Sequence, residues 1–263
     1  MSDEVENDWV SKCERWRTLG LEHYEPFTES KCNEMVEETL EAIKNHKLPE
    51  GATDVGGFGW RDWVRLDDDG HYVRFMTRKT LKNVDMKQLV DHTWSLYSDG
   101  EMLKKAHLGD NSELFHQTLQ QISPDIIIVQ RVEKYPTLAQ LTHSLALCFR
   151  VQTETGYLIV TRCIESPRLQ SLMKADGLSL SGSFLWDTFD VAHRDAEGEC
   201  DEIQFTVSGS AGSDNPTYAK RARDEILVAL VRYEDQLKDT SIVPVEASPE
   251  ADIAILIDSP MAL

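Results

Sequence analysis

Few residues in this chain are spaced for chemistry, and those few carry two readings each. His143 falls in a strand pattern, Leu141–Gln152, in which Leu141, His143, Leu145, Leu147, Phe149 and Val151 share one face. Thr142, Ser144, Cys148 and Arg150 share the other. A lone imidazole on an apolar face is either a hydrogen-bonded core residue or a polar hook for the head of a bound molecule, because buried polar groups need partners. Arg162, between Thr161 and Cys163, either pairs with a carboxylate such as Glu133 or Glu165 or makes a surface ion pair of little energetic weight. Phe184 and Trp186, two apart on one strand, are core aromatics or cavity walls. The eight histidines form no His-Glu-x-x-His and no paired metal spacing. No serine stands in a Gly-x-Ser-x-Gly elbow, and no carboxylate dyad is legible. Asp67-Asp68-Asp69-Gly70 lacks the alternating ligands of a calcium loop and reads as a hairpin turn. Gly56-Gly57-Phe58-Gly59 is followed by neither Lys-Ser/Thr nor a helix, so it is no phosphate cradle. No catalytic residue, metal or cofactor is legible among these residues.

The elements that must position them alternate in period. Residues 30–46 carry Met35, Val36, Leu40 and Ile43 at helical spacing and stop at Pro49-Glu50-Gly51. A hairpin follows, 60–66 and 72–77, closed by Asp-Gly. Helices are expected at 85–97 and 101–107, and strands at 112–120, 125–134, 141–152, 156–165, 183–193 and 200–208. The last element is a long helix at 216–238, with Asn215 as N-cap and Pro216 at its first position. Its stripe of Ala219, Ala222, Ile226, Leu230, Tyr233 and Leu237 asks for a sheet to lie on. Strands grouped without long intervening helices predict an α+β chain with an antiparallel sheet.

The chain has 263 residues, 41% of them hydrophobic and 28% charged, enough for a folded core. Its 27 basic against 46 acidic side chains, net −19, argue against a nucleic-acid partner and against general attraction to anionic membranes. The acidic N-terminus shows no signal peptide, and no apolar run approaches the ~20 residues of a membrane span. Five scattered cysteines (Cys13, Cys32, Cys148, Cys163, Cys200), never as Cys-x-x-Cys, suit a reducing compartment. The expected location is cytoplasmic, or nuclear.

The element order is that of a helix-grip fold, and several segments resemble the START (steroidogenic-acute-regulatory-related lipid-transfer) family and its START-like relatives over roughly 31–239. Gly70-His71-Tyr72-Val73-Arg74-Phe75-Met76-Thr77-Arg78 is similar to the family's second strand. Leu81-Lys82-Asn83-Val84, Leu89-Val90 and Leu96-Tyr97-Ser98-Asp99 resemble the approach to and course of its inner helix. Leu141–Gly156–Pro167 resembles its paired central strands, and 216–238 takes the place of its C-terminal lid helix. The chain departs from the family at His143-Ser144-Leu145-Ala146, where an Arg-Asp-aromatic motif is usual, and at Lys104-Lys105-Ala106-His107, where Trp-Asp is usual.

The resemblance implies a curved antiparallel sheet wrapped around the long C-terminal helix, with domains at 1–28 (a frayed arm or a short docking helix), 29–240 (START-like) and 241–263 (an acidic, disordered tail). It implies a hydrophobic small molecule, most plausibly a lipid, held in a cavity between sheet and helix. The residues expected to hold it are His143, Leu145, Leu147, Phe149, Arg162, Met173, Phe184, Trp186, Ile226, Leu230 and Tyr233, with 166–182 as a loop that gates access. The alternatives are an interaction module with a filled core and, third, a cyclase- or hydrolase-type enzyme, which needs a polar cluster projecting into the void. A void over ~300 Å³ is what separates a binder from a packed module. In the tail, Ile253, Ile255, Leu256 and Ile257 between acidic flanks either resemble a SUMO-interacting motif, a docking strand for a protein partner, or pair with the chain's own sheet.

Overall fold

A computed structural model describes residues 3–46, 53–54, 56–108, 112–136, 138–194 and 200–242. The Ile253–Ile257 run lies outside the described residues. The acidic turn at 67–70 closes a hairpin between β2 (Arg61–Leu66) and β3 (Tyr72–Lys82), with Gly70 in the left-handed region at φ 73° that such turns require. Beyond β1 (Thr53–Asp54), which edges β2, the other strands are β4 (Glu113–Ser123), β5 (Ile126–Lys134), β6 (Thr142–Gln152), β7 (Gly156–Cys163), β8 (Ser179–Leu180), β9 (Phe184–Arg194) and β10 (Cys200–Gly212). They form one curved sheet in the order β1-β2-β3-β10-β9-β7-β6-β5-β4, antiparallel throughout this path. Short β8 adds to β6 in parallel.

Each face of the sheet carries helices. On the inner face lie α3 (Met86–Ser98), α4 (Gly100–Leu103) with a π-helical turn at Lys104–Leu108, and α6 (Pro216–Asp239). The outer face is covered by α1 (Asp3–His23), α2 (Glu29–Lys44) and α5 (Pro167–Ala175). Sheet residues therefore sort by parity into two apolar clusters. Ile127, Val129, Ala146, Cys148 and Ile159 point inward, while Ile128, Val132, Leu145, Leu147 and Val160 point outward. Burial on both faces explains unbroken runs such as Ile126-Ile127-Ile128-Val129.

Asp3–His23 reaches the outer face as a helix. Trp16 is 1% exposed, and its indole donates to Asp176 at 2.8 Å, an acceptor shared with Arg15 at 2.6 Å. A Cβ on Gly20 would meet the Gln130 side-chain oxygen at 2.0 Å, so a larger residue there would have to displace that side chain. Gln120 then fixes the turn into α2: it accepts from Tyr24 Oη at 2.6 Å and from the Phe27 amide at 3.0 Å, and donates to the Phe27 carbonyl at 2.8 Å.

On the other side, α6 starts where Asn215 accepts from the Thr217 amide and Pro216 needs no N–H partner. Its inward stripe includes Ala219, Leu230, Tyr233 and Leu237. Lys79 of β3 pins its last turns through an ion pair with Glu234.

Candidate cavity beneath the C-terminal helix

Between the inner face of the sheet and α6 lies a cavity of about 200 Å³. Leu96 of α3, Leu103 of α4, Leu108 and the α6 residues Ile226, Ala229 and Leu230 make its apolar walls, and Phe75, Leu185 and Val207 close it from the sheet. These strand residues sit at positions that parity turns inward, and the alanines of α6 leave the space that larger residues would fill.

Polar groups meet the cavity in several places, three of them built around tyrosines. At one, Tyr97 Oη donates to Asp187 Oδ2 at 2.6 Å. Burial pushes the Asp187 carboxyl up to about 7, against the hydrogen bond from Tyr97. At the second, Tyr135 and Tyr218 both donate to Glu133 Oε2, at 2.8 and 3.3 Å. Burial raises Glu133, while these hydrogen bonds and Arg131 oppose the shift. Glu133 keeps some accessible surface, as a residue lining the cavity does. Arg221 covers the Tyr135 ring at 3.8 Å and pairs with Glu225 at 3.1 Å. The third is Thr93, whose hydroxyl donates to the Leu89 carbonyl and so accepts from Tyr233 Oη at 2.5 Å. Burial raises the Tyr97, Tyr135, Tyr218 and Tyr233 phenols, so all four remain proton donors.

Of the eleven residues expected around a ligand, the structure brings Ile226, Leu230 and Tyr233 to this cavity. The others lie on the outer face. Leu145, Leu147, Phe149, Met173, Phe184 and Trp186 belong to the cluster beneath α1, α2 and α5. His143 shares their parity on β6, and Arg162 donates to Thr39 of α2 at 2.8 Å rather than to Glu133 or Glu165. The reversal has a physical cause: the more apolar face of β6 packs into the drier layer, and the face read as wet is the one that meets the cavity side. Residues 166–182 likewise hold α5, which packs against α1 on the outer face and lies away from the cavity.

Tyr97, Arg131, Glu133 and Asp187 were not anticipated. Their signal was present as charge interrupting apolar strands, in Val129-Gln130-Arg131-Val132-Glu133 and in Leu185-Trp186-Asp187-Thr188. Chemically, the site offers hydrogen-bond donors, a carboxyl able to exchange a proton near neutrality and an apolar surface. Among the described residues no cluster of three or more His, Cys, Asp or Glu could hold a metal ion. No helix there is long and apolar enough to cross a membrane.

No family model matches the chain, and no curated protein matches it. Solved structures do. Human StAR-related lipid transfer protein 5 superposes with a TM-score of 0.52 at 10% identity, over 81% of this chain and 97% of that one. Human STARD10 gives 0.48 at 12% identity over 84% and 86%, and the lipid transfer and protein localization domain of human StarD13 gives 0.49 at 11% over 76% and 94%. The first superposition, with the strand order and the α6 grip, assigns this chain a START-like helix-grip fold.

Proposed function

We propose that this chain binds a hydrophobic small molecule, a lipid or a molecule of lipid-like character, non-covalently beneath α6, as a soluble carrier or sensor in the cytoplasm or nucleus. The observation that carries the reading is the cavity itself, with apolar walls from α3, the π-helical turn and α6 and a few convergent polar groups. The lipid-transfer names of the proteins that share the fold agree with it. Each methylene removed from water contributes about 0.8 kcal/mol, so a short chain or ring system is held without covalent chemistry. Ile226, Leu230 and Tyr233 keep their proposed role as contacts, joined by Tyr97, Arg131, Glu133 and Asp187.

A second reading, an interaction module with a filled core, is favoured by one number. The cavity of about 200 Å³ is smaller than the ~300 Å³ at the lower end of small-molecule sites. Two measurements separate them. Native mass spectrometry of protein purified from its own cells should show a co-purified small hydrophobic mass. Ala229→Trp, which fills the cavity, should then fold and lose that mass. A bare wild-type chain that also takes up no hydrophobic probe would leave the filled-core module.

A further inference from the structure

Arg131 is only 6% exposed, it lines the cavity, and every acceptor it has is neutral. Its Nε donates to His116 Nδ1 at 3.3 Å, and Nη2 donates to the Tyr97 carbonyl at 3.0 Å and to Cys148 Sγ at 3.7 Å. His116 is held uncharged at neutral pH, because burial and Arg131 itself press its imidazole down to about 3. Among the described residues no carboxylate comes within ion-pair distance of Arg131, and Nη1 has no acceptor. Of the acids lining the cavity, Glu133 accepts from Tyr135 and Tyr218 and Asp187 from Tyr97, and Arg131 acts on Glu133 through space without an ion pair. A buried guanidinium with no carboxylate in contact is unusual, since such groups are normally paired and planar oxyanions fit the guanidinium fork.

We propose that Arg131 is an anion subsite in the cavity, taking the oxyanion head of an amphiphile, a carboxylate or a phosphate monoester, whose tail lies against Leu96, Leu103 and Leu230. This rests on the cavity-binding reading above and names its ligand class. The two carboxyls nearby leave the guanidinium face open: burial pushes Asp187 up to about 7, and Glu133, onto which Tyr135 and Tyr218 donate, makes no ion pair with Arg131. A cationic head is opposed by the charge of Arg131 itself, fixed in the same wall.

The test is calorimetry on the full chain with four ten-carbon probes below their micelle concentrations: sodium decanoate, decyl phosphate, decan-1-ol and decyltrimethylammonium bromide. At least one anion should bind roughly tenfold or more tightly than decanol, the gain expected of one charge-assisted pair, and the cation should bind less tightly than decanol. The tighter anion tells carboxylate from phosphate. Arg131→Met should bring the anion-to-decanol ratio to about one, and Arg131→Lys should retain part of it. A readout on the wild-type chain guards against a variant that does not fold. Carboxyl-labelled decanoate, followed by carbon NMR, should titrate at lower pH when bound than when free. Equal affinities for anions and decanol, a preference surviving Arg131→Met, or an unshifted or raised titration each overturn the anion subsite and leave cavity binding standing. If none of the four probes binds, cavity binding fails and the subsite with it.

Discussion

Tyr97 gives its hydroxyl to Asp187 at 2.6 Å and its carbonyl to Arg131 at 3.0 Å, so one side chain and its own backbone separate the buried acid from the buried base. The geometry holds the Asp187 carboxyl and the Arg131 guanidinium apart inside the cavity wall.

Burial makes Asp187 costly to ionise. Its carboxyl rises from the usual 3.9 to about 7 on folding. A raised acid favours the protonated fold, so its contribution is intact below about pH 4, falls as the pH rises toward 7 and stays flat above. Asp187→Asn keeps an oxygen for Tyr97 and does not titrate. Wild type should lose about 2–3 kcal/mol relative to the variant between pH 5 and pH 8 in urea unfolding. A constant gap would show that the carboxyl ionises normally in the fold.

The grip of α6 makes a second test. Lys79 pairs with Glu234, donates to the Phe58 carbonyl at 2.9 Å and stands 5.7 Å over the Trp60 ring. Glu234 is only 8% exposed. Lys79→Met alone leaves a buried carboxylate unpaired and should cost roughly 3 kcal/mol, whereas Lys79→Met with Glu234→Leu should recover most of it. A double-mutant cycle in guanidinium reads the coupling, and additive losses would mean the pair holds nothing.

Much of the architecture was legible because period and punctuation agreed. The Asp-Gly hairpin, the six strand segments and the Asn215-Pro216 start of the last helix stand within a few residues of where the pattern puts them. The sheet face was not legible. Leu145, Leu147 and Phe149 mark the face of β6 that packs dry under helices, whereas the cavity is walled partly by Arg131, Glu133 and Asp187. Apolar periodicity ranks faces by dryness, and a binding cavity is the less dry of the two. The sequence pattern makes Pro167 the end of a strand with a loop beyond it, yet it occupies the first turn of α5, where its missing N–H costs nothing.

The outer layer is expected to be structural. Trp16→Ala removes a side chain that is 1% exposed, its hydrogen bond to Asp176 and its ring contact with Phe115 at 6.0 Å. The expected loss is about 3–5 kcal/mol, measured by chemical denaturation. An arm that merely rested on the sheet would lose far less.

His143 supplies the last test, because it separates the two roles first considered for it. The residue is 1% exposed on the outer-facing side of β6, and its Nε2 has no hydrogen-bond partner. It is thus neither a hook reaching the cavity nor a fully hydrogen-bonded core histidine. Burial presses its imidazole down to about 4, below the 6.5 of an exposed one. A lowered histidine favours the neutral fold, so its contribution is complete above about pH 6.5 and is lost as the pH falls toward 4. His143→Leu removes both the titration and the unpaired nitrogen, and puts on that face a residue type its neighbours Leu145 and Leu147 already use. At pH 7 the variant should be at least as stable as wild type to within about 1 kcal/mol. Between pH 7 and about 4.5 it should lose roughly 2–3 kcal/mol less than wild type. His116, lowered to about 3, continues to titrate, so some acid lability remains. Hydrophobic-probe uptake should be unchanged, since no cavity wall is altered. Lost uptake in a variant of full stability would return His143 to the ligand site and move the site to the outer face.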